Sequence, residues 1–189
     1  MKTISGLFDS HAEASKAVSA LEDAGVNDVS LVSPDKPGST EGAAAGAGIG
    51  AAVGGVGGLL AGLGTFAIPG IGPVVGAGWL ATTLVGAMAG GAAGGILGSL
   101  TEAGIEENEA HVYAEGIRRG ATLVTARVDE TEVEATEAIL NQHSPVNIDS
   151  RRTQFESTGW SGFDEEYDQL VEEDKVRPLR ESVVAPYPR

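Results

Sequence analysis

Two βαβ-patterned flanks, an uncharged stretch of sixty residues between them and a charged tail predict an α+β protein. The expected form is a ferredoxin-like split βαβ sandwich, interrupted by a long glycine-zipper α-helical hairpin and followed by an extended C-terminal tail. Charge marks the four parts. Residues 1–41 carry three lysines against seven acids, 42–101 carry no charge, 102–150 carry three arginines against eleven acids, and 151–189 carry six basic residues against nine acids. The net charge of −15 argues against a nucleic-acid surface. With no cysteine, disulfides and thiolate metal sites are excluded. The opening MKTISGLFDS reaches Asp9 before any apolar run forms, so it does not read as a secretory signal, and a cytoplasmic domain is expected.

The first flank predicts strand, helix, strand. TISGLF (3–8) is a short strand, and Ser10 with Glu13 has capping-box spacing. Ala14, Ala17, Val18 and Leu21 recur at helical spacing, Gly25 suits the helix end, and DVSLVS (28–33) alternates as a second strand. After the uncharged stretch, residues 105–119 form a helix ending in Arg118, Arg119 and Gly120, where basic residues suit the negative end of the dipole. ATLVTARV (121–128) is the clearest strand in the chain. Thr131 and Glu134 repeat the capping-box spacing before a helix through Val133, Thr136, Ile139 and Leu140, and VNID (146–149) is the expected last strand. This plan gives four antiparallel strands with helices on one face, the 105–119 helix being additional.

GIEENEAHVYAEGIRRGATLVTARV, followed by an acid-rich helix and NQHSPVNIDSR, resembles the bacterial heat-induced or general stress protein family, whose members often carry a glycine-rich insert. The similarity spans roughly residues 1–152 and is densest over 104–151. It implies a fold and a stress-associated setting, and it brings no catalytic residue.

The uncharged stretch is patterned by glycine. Gly42, Gly46, Gly50, Gly54, Gly58 and Gly62 fall every fourth residue, and Gly86, Gly90, Gly94 and Gly98 repeat the spacing with Gly78 in the same series. IPGIGP (68–73), with Pro69, Gly70, Gly72 and Pro73, reads as the hairpin turn. The arms on either side, 42–67 and 73–100, would be about 39 and 42 Å long as helices, enough to cross a hydrocarbon core. Ten glycines in the first arm carry a helix penalty of about 8 to 10 kcal/mol relative to alanine. That penalty is tolerable where a second backbone approaches closely, so the glycines are expected to be helix-packing and assembly surface. A row advancing 40° per step winds too far round the helix for one straight neighbour, so contacts with other subunits are expected. Three placements satisfy the pattern: a membrane hairpin, a soluble homo-oligomer burying many hairpins in a shared core, and a hairpin folded on its own domain. Positive flanking charge is missing, and both ends must emerge on one side because the flanking strands share a sheet. Partners are therefore other copies of the chain and, in the first placement, the bilayer of the inner membrane.

No catalytic, cofactor or metal site is expected. His11, His111 and His143 are scattered, and no phosphate-loop motif occurs. GAGWLA (76–81) matches a relaxed dinucleotide fingerprint but lies in the uncharged arm without a ribose-binding acid at the usual distance. In the tail, Trp160, Phe163 and Tyr167 sit three and four apart among acids in a stretch too charged to form its own core, and are expected to dock on a neighbouring subunit or on the sheet. The functional expectation is a non-enzymatic, stress-associated structural protein that self-assembles through its glycine-zipper hairpin at or in the membrane, the alternative being a soluble homo-oligomeric particle or filament with the hairpins buried in a shared core. A ferredoxin-like small-ligand sensor is the reading of a different class, and it rests on fold analogy.

Overall fold

The computed structural model describes residues 1–34, 64–68, 71–89 and 95–164. Five strands, β1 (Lys2–Phe8), β2 (Asp28–Pro34), β3 (Gly64–Ile68), β4 (Gly72–Ala77) and β5 (Thr122–Val128), form one antiparallel sheet in the order β1-β5-β2-β4-β3. Among the described residues six helices accompany it: α1 (His11–Asp23), α2 (Trp79–Ala89), α3 (Gly95–Glu102), α4 (Glu107–Arg118), α5 (Val133–Gln142) and α6 (Ile148–Glu156). The mixed α+β class and the antiparallel sheet agree with the sequence.

Alternation along the strands divides the core in two. Phe8, Val29, Leu31, Val124 and Ala126 face one way and pack against Ala14, Ala17, Val18 and Leu21 of α1 and Leu140 of α5. Leu7, Val32, Leu123, Val74 and Ile68 face the other way and meet Leu80 and Leu84 of α2, Ile96 and Leu100 of α3, and Ala110, Tyr113, Ala114 and Ile117 of α4. The sheet is thus covered on both faces, where the sequence plan put helices on one. The approach of α4 is close: a Cβ on Gly116 would stand 2.6 Å from Leu7 Cδ2.

Residues 64–102 depart most from expectation. The turn does fall at IPGIGP, but it joins two strands rather than two helices: Ile71 N–H donates to Ile68 O (3.0 Å), Gly72 has φ +93°, and Ile68 pairs with Gly72. Pro73 lies beyond the end of the ladder with β2, which begins at Pro34 opposite Val74, so β2 asks no N–H of it, and on the other side it pairs with Ala67 of β3. The second arm is likewise not one 28-residue helix but β4, α2 and α3. Gly78 turns the chain from β4 into α2 at φ +90°, and a Cβ there would lie 2.3 Å from Val29 O and 2.8 Å from Ser30 Cα. Its close neighbour is the backbone of β2, not a second helix. Gly86 is exposed on α2 with nothing within 4 Å of its would-be Cβ, and Gly98 is half-buried in α3.

The expected fourth strand, VNID, is also absent. Asn147 caps α6 by accepting from Ser150 N–H (2.9 Å), and Asp149 sits in the first turn where the dipole favours it. Helix-start chemistry outweighs the two β-branched residues. What remains at the outer edge of β1 is one bond, Val146 N–H to Leu7 O (2.7 Å).

Two glycines of one sequence series should therefore respond in opposite ways. Gly78→Ala meets backbone at a positive φ and should destabilise by about 3 kcal/mol or more. Gly86→Ala meets open space and should stabilise α2 by up to about 1 kcal/mol. Thermal unfolding of the two variants checks this; equal effects would return both residues to a single packing role.

Candidate functional site

The second layer meets the sheet at a polar corner. Register places Thr3, Arg127 and Asp28 side by side on adjacent strands, on the face covered by α2, α3 and α4. One step further in lie Ser5, Thr125 and Ser30. Ser30 Oγ donates to Ala77 O (2.7 Å), whereas the fully buried Thr125 hydroxyl has no hydrogen-bond partner among the described residues.

Gly78 delivers Trp79 to this corner. The indole Nε1–H donates to Asp28 O (3.2 Å), and the guanidinium of Arg127 lies over the ring, 3.5 Å from its centroid. Stacking engages the flat face of the guanidinium and leaves its N–H edge for other partners. Among the described residues the Arg127 guanidinium has no ion pair or hydrogen bond, although Asp28 stands opposite it in register. The α3–α4 junction forms the other wall. Gly104 ends α3 at φ +90°, Ile105 N–H bonds back to Leu100 O (3.1 Å), and Thr3 Oγ1 donates to Ala103 O (2.5 Å), tying the junction to β1. The resulting cleft of about 630 Å³ is lined by Lys2, Thr3, Glu102, Gly104, Glu106 and Arg127, with Met1 and Ala103 beside them. Next to it, Glu109 in the first turn of α4 is held above the ordinary carboxylate range, by partial burial first and then by Glu106 and Asp149, against the pull of Arg152.

A second cluster fastens the chain beyond α5. Glu115, 1% exposed, forms ion pairs with Arg118 and, at 2.5 Å, with Arg119. The same two arginines lie over aromatic rings of the later chain: Arg119 over Phe155 (4.5 Å) and Arg118 over Phe163 (5.3 Å). Phe163 is 5% exposed, and its N–H donates to His111 Nδ1 (3.0 Å). Trp160 is half-buried and edge-on to Phe155 at 5.5 Å. Burial pushes the Tyr113 phenol far up, so the ring stays protonated in the core.

The sequence-flagged residues thus scatter. Trp160 and Phe163 pack on α6 and α4 of their own domain; Gly78, Gly86, Gly98 and Gly72 lie in or beside β4, α2 and α3. Gly42, Gly46, Gly50, Gly54, Gly58, Gly62, Gly90, Gly94, Pro69, Gly70 and Tyr167 lie outside the described residues. Arg127, which lines the cleft, and Trp79, which stacks on it, were not expected as site residues. Their signal was present: Arg127 is the one charge in the best strand, on the face it shares with Leu123 and Thr125. Among the described residues no group of three or more His, Asp or Glu is placed to hold a metal ion, and no helix is long and apolar enough to cross a membrane.

Comparison of the chain with models of protein families, with curated proteins and with solved structures gives no match.

The tail contacts make a measurable claim about stability. Phe163→Ala should destabilise by about 3 kcal/mol, the usual cost of emptying a buried phenylalanine site. Trp160→Ala, truncating a half-buried ring, should cost less. Denaturant unfolding of both variants checks the order, and a neutral Phe163→Ala would separate the segment from the fold.

Proposed function

We propose that this chain is a non-enzymatic, stress-associated structural protein that self-assembles through the glycine series of residues 42–62, carried on a ferredoxin-like domain. The ferredoxin-like part is supported by the order β1-β5-β2 with α1 and α5 packed on one face, while the Val146 bond touches the edge of β1 where a fourth strand would stand. The stress setting rests on the resemblance of residues 104–151 to the general stress family.

The observation that carries the assembly reading is how the glycine series is anchored. Chain leaves β2 at Pro34, opposite Val74, and returns in β3 at Gly64, opposite Gly76. The anchors are two strands and two residues apart, about 12 Å at ordinary strand spacing and rise. Residues 35–63 are therefore an excursion from one point of the sheet, and the six fourfold glycines belong to it. Because the described apolar residues of β4, α2 and α3 pack on their own sheet, contact with other copies is assigned first to 42–62. A bilayer as second partner rests on the same residues alone. A localisation in the cytoplasm or on its membrane face follows from this reading.

The test is the mass of the protein purified with and without detergent. Wild type should run well above the 19.1 kDa of one chain. Gly50→Leu with Gly54→Leu should return it to monomer without lowering the Tm of the domain, since leucine favours helix and only contact is lost. A wild-type monomer, or an unchanged assembly in the double variant, would contradict the proposal.

A further inference from the structure

We propose that the cleft between β1, β5 and the α3–α4 junction binds a small zwitterion of the amino-acid class, its carboxylate on the open edge of Arg127 and its ammonium toward Glu102 and Glu106. Nothing in the assembly reading requires such a site.

Arg127 carries the argument. A guanidinium used only to brace a sheet end ordinarily takes a nearby carboxylate as its partner, because an unpaired cation against a protein wall gives up hydration. Here Asp28 is its neighbour across the strand and Glu102 and Glu106 line the same cleft, yet none is within ion-pair distance. The indole of Trp79 instead holds the guanidinium by its face, and Trp79 is itself fixed by its bond to Asp28 O and by the turn at Gly78, which admits no side chain. The result is a pre-oriented fork with free N–H donors, the geometry that matches a carboxylate through two parallel bonds.

Charge then selects among anions. The charged side chains lining the cleft are Arg127 and Lys2 against Glu102 and Glu106, with the Met1 amino group at the same wall and Asp28 beside Arg127 on the next strand. A cleft that presents both signs repels a dianion such as phosphate at its carboxylates and favours a ligand that carries a positive group as well as a negative one. The volume of about 630 Å³ lies within the range of small-molecule sites and leaves room for side-chain variation.

The standard L-amino acids, each at about 10 mM, tenfold above a millimolar Kd, are titrated against the full chain in a Trp160→Phe background, where Trp79 is the remaining tryptophan. Fluorescence reports contact at the Arg127–Trp79 stack, and Tm reports linkage. At least one amino acid should shift the Trp79 emission and raise Tm, while its decarboxylated amine and inorganic phosphate do neither. Arg127→Lys keeps the charge but loses the fork, and should weaken binding at least tenfold with the unliganded Tm retained. Glu102→Gln with Glu106→Gln should weaken the amino acid and leave the matching des-amino carboxylate unaffected. Silence from every amino acid, an equal response to phosphate or amine, or wild-type affinity in Arg127→Lys would each overturn the site.

Discussion

The structure turns on one constraint: β5 is an interior strand, between β1 and β2, and is buried on both faces. Leu123 points into one core, Val124 and Ala126 into the other, and only Arg127 reaches partly into the open. A strand apolar on both sides requires two covering layers. The flanks supply one, α1 with α5. Helices α2, α3 and α4 supply the other, together with the hairpin β3–β4 that widens the sheet. A stretch that looks like an insertion by charge is, in its second half, a layer of the domain by packing.

How much of this was legible follows from which residues carry period. In the flanks, charges interrupt apolar residues regularly, so β1, α1, β2, α4, β5 and α5 stand out within a residue or two, and Gly25 and Gly120 mark helix ends by their positive φ. Between residues 42 and 101 every side chain is small or apolar, neither a two-residue nor a 3.6-residue period survives, and only the turn at 68–73 kept its signal. Fourfold glycine then suggested helix throughout, although Val74 and Val75 beside a proline-glycine turn are strand chemistry. VNID misled for a different reason: two β-branched residues hid an asparagine cap and a first-turn aspartate. The second layer itself was foreshadowed by TLVTARV, whose apolar residues fall at both parities of the strand rather than one.

The candidate site is a product of the same two-layer construction. Arg127 belongs to the sheet and Trp79 to the layer, and they meet only because Gly78 lets α2 start against the backbone of β2. Sequence separates them by 48 positions, so no local motif could pair them. On the other side, Glu115 with Arg118 and Arg119 shows the second use of a helix end: the basic pair that suits the dipole also neutralises a buried acid and holds Phe155 and Phe163 against α4. Residues 148–163 are in this way part of the folded unit.

Helices α2 and α3 are a structural layer of the domain and not an appendage. Native-state hydrogen exchange measures this residue by residue. The amides of Leu84 and Leu100 should open with the same free energy as those of Leu123 and Val124 in β5, that of global unfolding. Exchange of the α2 and α3 amides by local opening, several kcal/mol below the protection of β5, would contradict the two-layer account.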